Sequence, residues 1–554
     1  MQILFNARIY TLDSANPIVS ALAVDDGRII ATGTDAQILG EFESRGEAID
    51  LGERICLPGM TDSHIHLQHY ALGLQKVNCE TSTRGECLAR VQELALNTQP
   101  GDWILGHGWN QNDWPEGFGS VAELDAIAPD QPVYLTAKSL HAGWGNSEAL
   151  RRAGISSGTP DPEGGRIQRN ARGEPTGILF ESAMSLISDV LPQPSLGRIA
   201  GAIEFAQDQL WRMGLTGVHD FDRQDCFRAL QVLHQRGRLG IRVLKSIPLE
   251  ALPQAAELGL RSGFGDDFLR IGSVKAFADG ALGPRTAAML QPYEDEPENR
   301  GIAMFDAEEL YEYGRQAVEN GLSLAVHAIG DRANHEVLEA YRQIRAFEDE
   351  LRITKREVES VRLPHLRHRI EHVQIIHPDD APRLAALNII ASMQPIHAAS
   401  DYPAADRYWG KRAANSYAWR TLLDYRTRLA FGSDAPVDSP NPFWGLHAAV
   451  TRRRQDGSPG PEGWYPEQKL SIREALHGYT QGAAYAAGME NSLGKLARGY
   501  LADLLVLNAD PFECNPAELL KVKPLAAMVG GEWKFSDLDL SDAAASDAHP
   551  LLEP

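Results

Sequence analysis

The chain is 554 residues long and carries 53 basic against 75 acidic residues, a net charge of −22. That balance excludes the basic surface a nucleic acid or an anionic membrane would require, and an apolar fraction of 43% with 23% charged residues excludes wholesale disorder. A barrel of about 250 residues with satellite segments accounts for the length better than a string of small domains.

Residues 1–56 alternate short β-rich runs, ILFNARIYTL, SALAVDDGRIIATG and AIDLGERICLPG, with polar turns, the pattern of small antiparallel strands. LPGMTDSHIHL follows. Its Pro-Gly turn leads into a strand on which His64 and His66, two residues apart, point to one side. Two neutral imidazoles so placed can pinch a divalent cation. Residues 68–195 then carry helices (ECLARVQELAL, SVAELDAIAP) and strand-like runs (DWILGHGW, PVYLTAK) of their own, an inserted domain. Because it leaves from the C-terminal end of the first strand, where barrel active sites lie, it is expected to act as a lid or pocket wall.

From 196 to 492 apolar runs alternate with helical stretches of period near 3.6. LTGVHDF, IRVLKSI, IGSVKAFAD, LSLAVHAIG, RHRIEHVQ, NIIASMQP and RLAFGSDAP, added to the HIH strand, make the eight strands of a (β/α)8 barrel. Ser471 and Glu474 stand in capping-box spacing at the start of SIREALHGYTQGAAYAAG. Short strands return in LADLLVLNADP and LAAMVGGEWKF. Neither terminal segment buries a sheet face alone, so 1–56 and 493–536 are expected to join into one small β-sandwich. The fold class is therefore α/β: a TIM barrel over 57–67 and 196–492, a composite β-sandwich from both termini, and the insertion. The acidic, small-residue tail after 537 is expected to be mobile.

Several candidate ligands each end an apolar run: His64 and His66 on the first strand, Lys275 on the fourth, His327 on the fifth, His372 on the sixth and Asp434 on the eighth. Barrel geometry brings such positions to one point. Each also has a bland reading. The histidines suit hydrogen bonds to backbone carbonyls, Asp434 suits a turn cap, and Lys275 suits a salt bridge with Asp279, since a protonated amine cannot ligate a metal and is costly to bury. Glu371 and Asp331 stand near enough in sequence to act as acceptors that fix imidazole tautomers.

On the HIH strand, VKAFADG, HAIGD and GSDAPV, the chain resembles the metal-dependent amidohydrolase superfamily, in its long branch that includes N-substituted formamide deformylases. The resemblance runs from the LPGMTDSHIH turn to GYLADLLVLN and fills the family order of HxH, Lys, His, His and Asp. It implies the same barrel and composite terminal domain, and a carbamate formed on Lys275 that bridges two metals. A His and carboxylate set suits Zn2+ first, as one or two ions. Asp434 would then carry a proton from water to a leaving nitrogen, with His372 helping to hold the oxyanion. The expected activity is hydrolysis of a non-peptide C–N bond of the amide, N-acyl or formamide type. The alternatives are the same barrel acting on an ester, lactone, phosphoester or ring amine, and a non-catalytic scaffold.

For the substrate, GHGWNQNDWPEG and KSLHAGWGN supply Trp109, Trp114, His141 and Trp144, which serve either as core or as pocket lining. His141 occupies the place of a histidine in a similar family segment. Arg285 either clamps a substrate carboxylate or anchors its own loop. Five cysteines at irregular spacing, with no CxxC pair, do not make a disulfide framework and favour a reducing compartment. With no signal-peptide pattern and no membrane-length apolar run, the expectation is a cytoplasmic enzyme acting on a small molecule, without nucleic-acid or membrane partners, and a homo-oligomer, a dimer first.

Overall fold

The computed structural model describes residues 1–111, 114–137, 142–358 and 365–538. The 539–554 part of the tail therefore lies outside the described residues. The chain divides into two compact units, one formed by Met1–Tyr70 with Ile203–Pro554 and the other by Ala71–Ala202. Among the described residues no helix is long and apolar enough to cross a membrane. All five cysteines are free thiols.

The first unit holds the barrel. Its strands are β1 (Met60–Ile65), β2 (Leu215–Asp220), β3 (Arg242–Pro248), β4 (Leu269–Phe277), β5 (Leu324–Ala328), β6 (Arg369–His372), β7 (Ile390–Met393) and β8 (Leu429–Phe431). They pair in chain order and every pairing is parallel. Strands buried on both faces read as near-continuous apolar runs, and β2, β6, β7 and β8 are buried at every position. Between β8 and β1 the closing contacts come from the segment after β8. Ile65 bridges Ala435, the Asp434 amide donates to the His64 carbonyl at 2.7 Å and the His66 amide to the Ala435 carbonyl at 2.9 Å. The seam that closes the barrel thus fixes Asp434 against His64 of β1 and His66 just after it.

Amphipathic helices cross between the strands, among them Gln224–Gln235 after β2, Ala307–Glu319 before β5 and Asp331–Val358 after it. Asp306 and Ser471 open helices with full capping boxes. The helix that begins at Ile472 is interrupted by a π-turn over Gly478–Gly482 before it resumes at Ala483. At this break Gly478 lies against the Phe431 ring of β8 and Gly482 against the Leu429 carbonyl, where a Cβ would fall within 2.4 Å and 2.0 Å of them. The sequence pattern suggested one uninterrupted helix, and close approach to β8 is the reason it is not.

Both termini enter one mixed eight-stranded sheet in which Glu47–Pro58 pairs with Gln2–Tyr10 on one side and Leu504–Leu507 on the other. Alternate side chains divide between two cores: Leu4, Leu22, Leu504, Val506 and Met528 pack in one, and Ile3, Ala21, Ala23, Ile38 and Phe42 in the other. This period of two is what the short β-rich runs encode. Arg242 at the start of β3 ties the barrel to this sheet through a buried two-pronged pair with Asp503, at 2.6 and 2.8 Å.

The unit Ala71–Ala202 carries a six-stranded sheet. Val77–Asn78, Ile104–Trp109 and Val133–Ala137 pair in parallel, and Ala142–Gly145, Pro175–Glu181 and Gly165–Arg169 continue it antiparallel. Its core is built on Trp109, Trp114 and Trp144 with Val91, Leu124 and Leu135.

Candidate metal centre

Of the six expected ligand residues, His64, Lys275, His327 and His372 lie on the C-terminal halves of β1, β4, β5 and β6, and His66 and Asp434 lie just beyond β1 and β8, all within the first unit. His64, His66 and Asp434 bring their ligating atoms within 4.8 Å of one another. Asp434 Oδ1 is 3.5 Å from His64 Nε2 and 3.4 Å from His66 Nε2. The His64 ring lies 4.8 Å from that of His372, which lies 4.5 Å from that of His327. Asp434 and His372 both adopt positive φ, 60° and 77°, a conformation non-glycine residues accept at strained functional positions. Gly432 permits the close passage of β8 past β1, since a Cβ there would meet Asp62 Oδ1 and the His64 amide at 2.5 Å.

Hydrogen bonds fix the free ring nitrogen of each histidine. A carboxylate or carbonyl oxygen only accepts, so the imidazole nitrogen facing it carries the proton. His64 Nδ1 donates to Glu371 Oε2 at 2.6 Å, His66 Nδ1 to Asp222 Oδ1 at 3.2 Å and His372 Nδ1 to Gln394 Oε1 at 2.9 Å. Each therefore turns a lone pair on Nε2 toward the centre. His327 reverses the pattern, donating from Nε2 to the Gly280 carbonyl at 2.9 Å, which leaves its Nδ1 as the ligating atom. Such outer partners orient ligands and raise their basicity. Glu371 is itself held by Arg369, which also reaches the Ser63 carbonyl and Ser392 Oγ.

Electrostatics favour a bound cation. Burial, assisted by the Lys275 charge, lowers His64 to about 4 and His327 to about 3. Burial and then His327 hold His372 well below the usual histidine range. Three imidazoles are thus neutral at pH 7, as ligands must be. At His66 burial is outweighed by hydrogen bonds to Asp222 and Asp434, which raise it to about 9. The two carboxylates call for positive charge at this ring, which a proton or a metal ion supplies.

Lys275 is 4% exposed and its Nζ has no hydrogen-bond partner. The amine lies over the rings of Phe221 and Phe277, at 4.9 and 4.7 Å. Burial lowers it to about 8 against the pull of Glu371 and Asp434. The alternative salt bridge with Asp279 does not form: that carboxylate accepts the backbone amides of Ala288, Ile329 and Gly330 instead. Asp331 likewise accepts the Leu290 amide rather than serving His327.

The substrate residues fare differently. Trp109, Trp114 and Trp144 are 1%, 3% and 0% exposed. Their indole N–H groups donate to the carbonyls of Leu135, Thr81 and Ser120, and Trp114 packs against both others at ring distances of 6.0 and 6.2 Å. These side chains pack in the core of their own unit. Arg285 pairs with Glu296 at 2.7 Å and Asp295 at 3.3 Å, so it anchors its loop rather than standing ready as a carboxylate clamp. His141 lies outside the described residues.

Four more residues complete the site, of which the sequence singled out only Asp62, as the acidic residue preceding the histidine pair. Asp222 and Gln394 hold ligand histidines, and Asp62 accepts the amides of His64 and Ser433, each at 3.0 Å. His397, on the helix Pro395–Trp409 after β7, brings a ring nitrogen within 4.8 Å of the ligating atoms of His372 and Asp434. Asp222, two residues past β2, was open to the same strand-end criterion that found the ligands.

The profile of the amidohydrolase family matches residues 47–533. The chain is 34% identical to the YtcJ amidohydrolase of Bacillus subtilis (strain 168), over 95% of this chain and 97% of that one. It is 27% identical to the N-substituted formamide deformylase of Arthrobacter pascens, over 96% and 98%. Among solved structures, an uncharacterized metal-dependent hydrolase from Pyrococcus furiosus superposes with a TM-score of 0.75 at 29% identity, over 92% of this chain and 100% of that one.

Proposed function

The chain belongs to the amidohydrolase family, and from that premise we propose that it is a metal-dependent hydrolase of non-peptide C–N bonds, acting on small amides of the N-acyl or formamide class. The observation that carries the reading is Lys275, a buried amine without a hydrogen-bond partner beside neutral imidazoles and a carboxylate. An ordinary lysine so placed is costly. Addition of the neutral amine to carbon dioxide, with loss of one amine proton, would give a carbamate whose two oxygens can ligate metal and so remove the cost. His64, His66, His327, His372 and Asp434, with Lys275 as its carbamate, would hold one or two divalent ions.

A bound divalent ion, Zn2+ in first place, supplies Lewis acidity to the carbonyl and lowers the pKa of water. Asp434 does the proton work. As the water oxygen bonds to the carbonyl carbon, Asp434 Oδ1 takes its proton, and it returns that proton to the nitrogen as the C–N bond breaks. The products are a free amine and a carboxylic acid, which loses the second water proton to solvent and becomes the carboxylate. Glu371, Asp222 and Gln394 keep the imidazoles in the ligating tautomer throughout. The formamide class rests on likeness to the deformylase over nearly the full length of both chains.

The test is a substrate panel on the metal-loaded protein, with N-substituted formamides and other N-acyl amines set against esters, lactones and aminopurines. Amine release from the first set supports the reading. Turnover confined to the others moves the chain to another bond class.

A further inference from the structure

We infer that His397 is a substrate-contacting hydrogen-bond donor, whose Nε2–H holds the carbonyl oxygen of the scissile amide as negative charge develops on it. The inference rests on the hydrolase reading above and assigns a residue to the same centre. His397 follows β7, a strand that contributes none of the six candidate ligands, and stands on the first turn of Pro395–Trp409. It is 4% exposed.

The tautomer follows from its one hydrogen bond. Gln374 Nε2 lies 3.4 Å from His397 Nδ1, and an amide nitrogen only donates, so Nδ1 accepts and the proton sits on Nε2. That Nε2 is buried and has no hydrogen-bond partner. Its nearest carboxylate, Asp438 Oδ2, is 3.7 Å away, beyond hydrogen-bond range. Buried donors in folded proteins are nearly always paired, and an unpaired one needs an explanation.

The surroundings supply it. The His397 ring is nearly parallel to that of His372, 10° from coplanar, with centroids 6.4 Å apart, so the rings do not touch face to face. Ligating atoms of His397, His372 and Asp434 lie within 4.8 Å of one another. Groups gathered this closely suit a reacting atom that all three address. Asp434 meets the water proton there, and an N–H donor beside it serves the opposite need, an oxygen gaining charge. A protonated Nε2 cannot ligate, which separates His397 from the metal-binding imidazoles.

The experiment compares the parent chain with His397→Ala and His397→Gln, all metal-loaded. Three quantities are read: metal equivalents per chain, kcat on the best amide of the panel, and the Kd of a phosphinate that mimics the tetrahedral oxyanion. The Gln amide nitrogen reaches about as far as Nε2 and can donate. The expected result is unchanged metal content in both variants, kcat lowered about 10²- to 10³-fold in His397→Ala, a matching loss of phosphinate affinity, and recovery of most of both in His397→Gln. Loss of metal from His397→Ala would make the residue a ligand and overturn the assignment. Turnover and phosphinate binding like the parent's would do the same, leaving the hydrolase reading intact. A parent that neither turns over any amide nor binds the phosphinate removes the hydrolase reading and the role of His397 with it.

Discussion

His64 Nδ1 lies 2.6 Å from Glu371 Oε2, and both side chains are fully buried. The pair joins β1 to β6 across the barrel and fixes which nitrogen of His64 faces Asp434. Glu371→Gln keeps the shape and the accepting oxygen but removes the charge. Metal affinity is expected to fall about 10- to 100-fold, measured by competition with a chelating dye. Unchanged affinity would mean that the charge of Glu371 does not act on the ligand.

Asp434 combines a ligating position with proton transfer. Asp434→Asn is expected to lower kcat about 10²- to 10⁴-fold while the thermal unfolding midpoint stays close to that of the parent. Retained turnover would remove Asp434 from the chemistry.

Trp144 separates core from pocket. It is fully buried and bonds the Ser120 carbonyl, so Trp144→Ala is expected to cost about 3–5 kcal/mol of stability, read by denaturant unfolding. A pocket residue would instead raise KM with little change in stability.

Glu348 tests acid stability away from the site. It is 2% exposed. Although burial works to raise it, the His368 ring, whose Nε2 stands 3.6 Å away, and the Arg345 charge hold it at about 2, with Arg345 NH1 at 2.5 Å and the Leu366 amide at 2.8 Å. A folded-state value below the unfolded one of about 4.3 gives stability that is fully present above that pH and lost as pH falls toward 2. The contribution is on the order of 2–3 kcal/mol. The stability gap between parent and Glu348→Gln should be widest above about pH 5 and should narrow toward pH 2. A gap that does not change with pH would contradict this.

The barrel was legible because eight parallel strands must each be a short apolar run, and their C-terminal ends must converge. That requirement also exposed His64, His66, Lys275, His327, His372 and Asp434 as a set. The partners of those residues were less legible. Asp222 acts on His66 from 156 positions away, and only strand pairing makes them neighbours. His397 escaped because the apolar run of β7 stops before it and the residue sits on a helix. The tryptophans stayed open between core and pocket because aromatic clusters look alike in sequence whether they face a ligand or one another. What distinguishes them is the carbonyl that each indole N–H finds. For Arg285 the carboxylates of Asp295 and Glu296, about ten residues on, were a local signal that favoured the loop anchor.

Elemental analysis of the purified chain and of Lys275→Ala, after reconstitution with zinc and bicarbonate, reads out both the proposed metal centre and the proposed conversion of Lys275 to a ligand. About two equivalents per chain are expected in the parent, with a clear loss in the variant. No bound metal in the parent would contradict the centre itself, and equal metal content in both would contradict the role of Lys275.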